Sequence, residues 1–199
     1  MKKDILSLLD LQKDDFEHLF KRAIQLKERY AKGIMDRILM GKTLGLIFDK
    51  KSTRTRVAFE MAMIQLGGHP IYMSTQDTQI SRNEPAKDTA RVLSKYIDCL
   101  AMRTFDHSLV EEFANSSTIP VINALTDSFH PCQILSDIMT IIEKKGRYNN
   151  IKIAWVGDGN NVANSWINAA SVLGLELVVA CPDGYEIKKD IIGKAIENR

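Results

Sequence analysis

The chain has 199 residues, of which 45% are hydrophobic and 26% charged, and 27 basic against 25 acidic side chains leave a formal net charge of +2. A chain of this length buries roughly 70% of its unfolded surface, so it needs no metal or disulfide to form a core. The small net charge excludes a general nucleic-acid binder, which needs a concentrated basic surface. No apolar run approaches the ~18 residues of a membrane span, and the N-terminus lacks a signal-peptide core. We therefore expect a cytoplasmic protein with no membrane partner.

Helix-period and strand-like runs alternate along the chain. The predicted elements in chain order are a helix at 15–30, a strand at 43–48, a helix at 53–66, a strand at 70–73, a helix at 85–93, a strand at 99–102, a helix at 108–114, a strand at 119–122, a helix at 131–145, a strand at 151–156, a helix at 162–173, a strand at 177–181 and a helix from 187 onward. The alternation predicts an α/β fold, a parallel sheet with helices on both faces. Ligands of such sheets bind beyond the carboxyl ends of the strands.

A polar stretch at 146–150 follows the long helix predicted at 131–145. We place a domain boundary there, with a complete domain at 1–146 and the N-terminal part of a second domain at 147–199. Two strands do not make an independently stable sheet. We therefore expect the second domain to be incomplete in this chain.

Residues 52–56 (Ser-Thr-Arg-Thr-Arg) follow the first predicted strand and open the next helix. Their three hydroxyls and two guanidinium groups meet the unpaired N–H groups and the positive dipole end of a helix, which suits a phosphate. The structural alternative is a Ser or Thr N-cap with solvated arginines. The glycine-rich turn of a P-loop is missing, so a phosphate site here is of another kind.

The string at 48–56, Phe-Asp-Lys-Lys-Ser-Thr-Arg-Thr-Arg, followed by Phe-Glu at 59–60, resembles the carbamoyl-phosphate signature of the aspartate and ornithine carbamoyltransferases. Three further segments agree in the expected order: Asp-Thr-Ala-Arg-Val-Leu at 88–93 leading to Met-Arg-Thr-Phe at 102–105, His-Pro-Cys-Gln at 130–133, and Gly-Asp-Gly-Asn-Asn at 157–161. The resemblance covers essentially the whole chain. It implies a carbamoyl-phosphate-binding domain followed by the start of a Rossmann-like, ornithine-binding domain.

By this resemblance the protein transfers the carbamoyl group of carbamoyl phosphate to the side-chain amine of L-ornithine, giving citrulline and phosphate, with no metal or organic cofactor. The resemblance implies carbamoyl-phosphate binding by Ser52, Thr53, Arg54, Thr55, Gln79, Arg103, His130 and Gln133. Thr55, Arg103 and His130 are then catalytic donors to the carbonyl oxygen, and Gln133 binds the carbamoyl amino group. Asn161 binds ornithine. Such preorganised donors carry most of the catalysis where charge develops on oxygen.

The resemblance also implies a homotrimer or a multiple of trimers, in which Gln79 reaches the neighbouring subunit's site. Three of these residues also have a purely structural interpretation. Gln79 would lie in a solvated loop, Arg103 would form an ion pair, and His130 would cap a helix. The glycines at 157 and 159 are interpreted as allowing a tight turn, which Asn160 stabilises. Three widely spaced cysteines, without a Cys-x-x-Cys pair, argue against disulfide and zinc frameworks, and Cys132 is interpreted as a packing residue.

Phe-Asp-Lys at 48–50 and the Asn160-Asn161 pair favour ornithine over aspartate within the family. The alternatives are a carbamoyltransferase for putrescine, acylated ornithine or aspartate, and a noncatalytic anion-binding module. The family's later Asp, Ser-Met-Gly loop and His-Cys-Leu-Pro segment are not among these residues. We therefore expect a polypeptide ending at Arg199 to bind carbamoyl phosphate weakly at best and to be inactive.

Overall fold

The computed structural model describes residues 3–74 and 84–198. The chain forms two compact units, the first composed of Met1–Leu6 and Gln25–Thr126 and the second of Ser7–Ile24 and Asp127–Arg199. The domain limits predicted from the sequence, 1–146 and 147–199, stay a prediction. Helix α1 (Lys13–Ala31) is the first α-helix of the chain.

A four-stranded parallel sheet with the strand order β2-β1-β3-β4 forms the centre of the first unit. Its strands are β1 (Thr43–Phe48), β2 (His69–Ser74), β3 (Cys99–Arg103) and β4 (Val121–Leu125). The connecting helices are α2 (Arg54–Gln65), α3 (Ala86–Leu93) and α4 (His107–Ser116). The predicted alternation of strands and helices is confirmed here.

Helices cover both faces of this sheet. Ile47 of β1 belongs to one buried cluster with residues of α3 and α4, whereas its neighbours Leu46 and Phe48 belong to another with Met63 of α2. Successive side chains of a strand point to opposite faces, so the two clusters lie on opposite sides of the sheet. The predicted α/β fold class is therefore confirmed.

The outer edge of β4 is covered by the N-terminal segment. The Ile5 N–H donates to the Val121 carbonyl at 2.9 Å, and the Ile5 carbonyl accepts from the Asn123 N–H at 2.8 Å. The strand extends to Leu125, beyond the predicted end at 122, and it includes the fully buried Asn123. The Asn123 amide donates to the Leu6 carbonyl at 2.9 Å, which allows a polar side chain to lie in the interior.

The second unit contains a two-stranded parallel sheet of β5 (Lys152–Val156) and β6 (Glu176–Ala180). Its helices are α5 (Pro131–Lys145), α6 (Asn161–Leu173) and α7 (Lys189–Glu197). A core of Ala163, Ile187 and Ile191 packs with Trp155 and Val179 of the two strands. A short 3₁₀ helix, Leu8–Asp10, was not predicted from the sequence. None of the described helices is long and apolar enough to cross a membrane.

Candidate active site

The register of the first sheet places two loops side by side. Phe48 and Arg103, the last residues of β1 and β3, are paired in the parallel ladder. The loops that follow these strands therefore leave the same edge of the sheet, and the Asp49 N–H donates to the Arg103 carbonyl at 2.8 Å. This is the carboxyl edge, where parallel α/β sheets bind their ligands.

Helix α2 presents an N-terminus that its own cap residue leaves open. The helix begins at Arg54, and the side chain of the cap residue Thr53 makes no capping hydrogen bond in the described chain. The N-cap alternative is therefore not what the structure shows for Thr53. The N–H groups of the first helical turn lack intrahelical partners, and the helix dipole makes this end attractive to an anion.

Arg103 points its guanidinium group toward this helix end. Its two terminal nitrogens donate to the Thr55 hydroxyl at 3.4 Å and to the Lys51 carbonyl at 3.3 Å. Its Nε is buried and has no hydrogen-bond partner within the described residues, which also provide no carboxylate to pair with it. Burial lowers the pKa of Arg103 because the charged form loses hydration. The ion-pair alternative for Arg103 is thus not seen in this part of the chain.

The two arginines of the Ser-Thr-Arg-Thr-Arg run have different surroundings. Arg54 is exposed, and its side chain forms no hydrogen bond or ion pair within residues 3–74 and 84–198. Arg56 donates from Nε to Glu60 at 2.9 Å, and its guanidinium carbon lies 3.5 Å from the centroid of the Tyr72 ring. The hydrogen bond to Glu60 raises the pKa of Arg56. Arg54 is therefore the one of this pair that is available to a ligand.

In the second unit His130 occupies the N-cap position of α5. The residue is 8% exposed, its N–H donates to the Ser165 hydroxyl at 2.8 Å, and its side chain makes no capping hydrogen bond to the described helix. The alternative in which the His130 side chain caps the helix is therefore not what the structure shows.

Gln133 lies in the first turn of α5, next to the His130 position. Its Nε2 donates to Asp137 at 2.9 Å, and its N–H donates to the His130 carbonyl at 3.2 Å. The hydrogen bond to Asp137 fixes the orientation of the amide and leaves Oε1 as an acceptor. Burial raises the pKa of the neighbouring Cys132 thiol to about 12, which agrees with the packing role predicted for it.

The junction between β5 and α6 carries Asn161, the predicted ornithine-binding residue, which begins α6. The Asn160 side chain caps the helix by accepting from the N–H groups of the second and third helical residues at 2.9 and 3.2 Å. Its predicted role in stabilising the turn is confirmed. Gly157 has φ +145°, and a Cβ on Gly159 would lie 2.6 Å from the Ile187 nitrogen, so both positions need glycine.

The structure thus groups the predicted residues within each unit. Ser52, Thr53, Arg54, Thr55 and Arg103 lie together at the carboxyl edge of the first sheet. His130 and Gln133 share the start of α5 in the second unit, where Asn161 starts α6. Gln79 lies outside the described residues.

Sequence reasoning missed one contact at this edge. The hydroxyl of Thr104, which is 3% exposed, donates to Asp49 Oδ2 at 2.8 Å. Asp49 and Thr104 lie within the matched motifs, but neither is among the predicted site residues. A threonine directly after a predicted functional arginine was the available signal.

These features define an α/β protein in which an open helix N-terminus lies beside an arginine at the carboxyl edge of a parallel sheet. Residues 3–143 match the family model described as "Aspartate/ornithine carbamoyltransferase, carbamoyl-P binding domain". Residues 149–199 match the one described as "Aspartate/ornithine carbamoyltransferase, Asp/Orn binding domain". The chain belongs to the aspartate/ornithine carbamoyltransferase family.

Curated relatives agree with this assignment. The chain is 53% identical over 197 residues to an ornithine carbamoyltransferase of Syntrophus aciditrophicus, with 99% of this chain and 65% of the relative covered. It is 55% identical over 195 residues to one of Desulfotalea psychrophila, with 98% and 64% covered. The chain therefore spans about 65% of the length of these relatives.

Solved structures give the same result. The chain is similar to the ornithine carbamoyltransferase of Pyrococcus furiosus, with a TM-score of 0.94, 48% identity, and 98% of this chain and 63% of that chain covered. It is also similar to the anabolic ornithine carbamoyltransferase of Campylobacter jejuni, with a TM-score of 0.91, 43% identity, and 100% and 64% covered.

Proposed function

We propose that this chain carries the carbamoyl-phosphate half of an ornithine carbamoyltransferase, together with the start of its ornithine-binding half. The supporting observation is the Arg103 guanidinium, with a buried Nε that has no partner in the described chain, beside the open N-terminus of α2. A buried donor without a partner costs about 1–3 kcal/mol, and a phosphate oxygen would remove that cost. The proposed product is citrulline, and the relatives named above support ornithine as the acceptor.

In the proposed reaction the neutral side-chain amine of ornithine attacks the carbonyl carbon of carbamoyl phosphate. A C–N bond forms, negative charge grows on the carbonyl oxygen, and the bond from carbon to the phosphate oxygen then breaks. The phosphate leaves with the bonding electron pair and takes up the proton that the amine nitrogen loses, so that the products are citrulline and hydrogen phosphate. Donors that are already in position stabilise these charges without reorganising during the reaction.

The roles of the individual residues follow their chemistry. Ser52, Thr53, Arg54 and Thr55 bind the phosphate through hydroxyls, the first-turn N–H groups and one guanidinium group. Arg103 contacts the phosphate, and with Thr55 and His130 it donates to the carbonyl oxygen. The remaining acceptor of Gln133, Oε1, binds the carbamoyl NH₂ group. Asn161 contributes to ornithine binding, and Gln79 adds to carbamoyl-phosphate binding.

The proposal includes a homotrimer or a multiple of trimers, located in the cytoplasm, which acts on carbamoyl phosphate and L-ornithine. It also retains the domain limits 1–146 for carbamoyl phosphate and 147–199 for the start of the ornithine-binding domain. The two matched family models end and begin near this boundary, at residues 143 and 149, which supports it.

Binding is tested by calorimetric titration of the chain with carbamoyl phosphate. We expect Arg54→Ala to weaken binding about 10- to 100-fold, because one charge-assisted hydrogen-bonding partner of the phosphate is lost. Arg56→Ala is the matched control, since Arg56 lies in the same helical turn but contacts Glu60 and Tyr72. Equal affinities of wild type and Arg54→Ala would contradict the phosphate assignment.

Catalysis is tested in a chimera, in which the aligned 195 residues of the Desulfotalea relative are replaced by those of this chain. We expect citrulline formation from ornithine and carbamoyl phosphate, and its loss on Arg54→Ala. A folded chimera that binds carbamoyl phosphate but forms no citrulline would instead support the noncatalytic module.

A further inference from the structure

Two loops at the carboxyl edge of the first sheet are joined by contacts on either side of the Arg103 side chain. The Asp49 N–H donates to the Arg103 carbonyl at 2.8 Å, and the Thr104 hydroxyl donates to Asp49 Oδ2 at 2.8 Å. The Lys50 ammonium also lies 4.3 Å from the centroid of the Phe105 ring. We call the pair of hydrogen bonds between Asp49 and residues 103–104 the Asp49–Thr104 bridge.

Thr104 is held firmly by the sheet. It is 3% exposed, and its N–H donates to the Leu125 carbonyl of β4 at 3.0 Å. The register of β3 and β4 shifts between Met102 and Arg103, so one extra residue of β4 lies opposite this step. Such irregularities change the direction of a side chain at a strand end. Thr104 therefore has a fixed position in the sheet, and its hydroxyl links the loop at Asp49 to that position.

Arg103 needs such support because its own contacts are weak. Its guanidinium group makes hydrogen bonds of 3.3 and 3.4 Å, and no described carboxylate pairs with it. One of these two partners, the Lys51 carbonyl, lies in the loop that the bridge attaches. The position of Arg103 relative to α2 therefore depends on how the two loops are joined.

The bridge also engages the carboxylate of Asp49. Asp49 lies three residues before Ser52, and a free carboxylate there would compete with a phosphate for the Arg103 guanidinium. In the structure Oδ2 of this carboxylate accepts from Thr104 instead. The hydrogen bond thus joins the loops and engages one oxygen of this acidic group.

We propose that Asp49 and Thr104 are positioning residues that act through Arg103 on carbamoyl-phosphate binding. This inference rests on the proposed function, which supplies the ligand. The effect on carbamoyl-phosphate affinity depends on the Thr104 hydroxyl as donor and on an Asp49 side-chain oxygen as acceptor. It does not depend on the negative charge of Asp49.

Four variants separate the hydrogen bond from shape and charge. Thr104→Val removes the hydroxyl with little change of shape, whereas Thr104→Ser retains it. Asp49→Ala removes the acceptor, whereas Asp49→Asn retains an acceptor oxygen without the charge. We expect Thr104→Val and Asp49→Ala to weaken carbamoyl-phosphate binding about tenfold, and the Ser and Asn variants to stay within about threefold of wild type.

A double-mutant cycle with Arg103→Ala tests whether the effect passes through Arg103. We expect Thr104→Val to have no further effect on affinity once Arg103 is alanine. The same loss in both backgrounds would contradict the proposal, because the threonine would then act independently of the arginine. Circular dichroism verifies the fold of each variant, and if Thr104→Val does not fold, the same cycle is run with Asp49→Ala.

The binding affinities of these variants distinguish an error in the positioning role from an error in the phosphate site. If Arg54→Ala and Arg103→Ala both bind carbamoyl phosphate like wild type, the phosphate site itself is wrong. If both weaken binding while Thr104→Val and Asp49→Ala do not, only the positioning role is wrong.

Discussion

Replacing Gly159 by alanine is expected to destabilise the second unit strongly. A Cβ at this position would lie 2.6 Å from the Ile187 nitrogen and 2.8 Å from the Glu186 carbonyl carbon. Both neighbours are backbone atoms, so relief requires the loop to move, at a cost of about 1–3 kcal/mol. That movement would also lengthen the hydrogen bond from the Gly159 N–H to the Tyr185 carbonyl, now 2.7 Å, for about 1 kcal/mol more. The sum is about 2–4 kcal/mol.

Tryptophan fluorescence measures this unit selectively. The sequence has two tryptophans, Trp155 and Trp166, and both lie in the second unit. Trp155 donates from its indole nitrogen to the Asp158 carbonyl at 3.0 Å, next to the substituted position. A loss of about 2–4 kcal/mol should lower the midpoint of thermal unfolding by about 4–16 °C in a protein of this size.

Gly193→Ala provides the matched control. Gly193 lies inside α7, and a Cβ there would meet nothing within 4 Å. Alanine in the interior of a helix is favoured over glycine by about 1 kcal/mol, so this variant should be slightly more stable than wild type. A Gly159→Ala variant that unfolds at the wild-type midpoint or above it would refute the expected backbone clash.

Two smaller predictions concern caps and charges. Ser7→Ala removes the side-chain acceptor for the Leu9 N–H, 3.2 Å away, and should cost about 1 kcal/mol in tryptophan-monitored urea unfolding; an unchanged midpoint would contradict the cap. Hydrogen bonds from Lys42 and from the Thr43 N–H hold the pKa of Asp98 below its ordinary value of 3.8, so its stabilisation is present above that pH and lost as the pH falls through the lowered pKa. Asp98→Asn should therefore unfold at a lower temperature than wild type at neutral pH, with the difference shrinking below pH 3.8, and a difference independent of pH would contradict this assignment.

The order of strands and helices could be predicted because local signals mark the ends of the elements. Helix α5 runs from Pro131 to Lys145, as predicted, with proline in its first turn and Gly146 after it at φ +75°. Strand β1 also has its predicted bounds, because its buried apolar run ends at a change to polar residues. In both α5 and β1, the hydrophobic pattern and the residues that mark the ends of the element indicated the same bounds.

Elements without such a pattern could not be predicted. The 3₁₀ helix Leu8–Asp10 is three residues long, which is too short to show a helical period. The end of β4 was missed because its middle residue, Asn123, is polar yet fully buried, with its amide bonded to a distant carbonyl. Partners of this kind are set by tertiary structure.

The same limit applies to the candidate site. The hydroxyls and arginine of 52–55 and Arg103 could be selected from motifs, and the strand register explains why they meet. The hydrogen bond between Asp49 and Thr104 joins residues 55 positions apart, and either residue alone is a common surface type. Their pairing follows from the parallel alignment of β1 and β3, which places the two loops at one edge.

Helical geometry, by contrast, could have separated the two arginines of the Ser-Thr-Arg-Thr-Arg run. Successive residues of an α-helix are rotated by about 100° around its axis. Positions 54 and 56 therefore differ by about 200°, and their side chains leave nearly opposite sides of the helix. A ligand at the end of α2 therefore cannot be bound in the same way by both side chains. The structure agrees, because Arg56 faces Glu60, one turn further along, and Tyr72 of the adjacent strand, while Arg54 is exposed. This difference in direction is why Arg56→Ala is a fair control for Arg54→Ala, although the two residues are chemically identical.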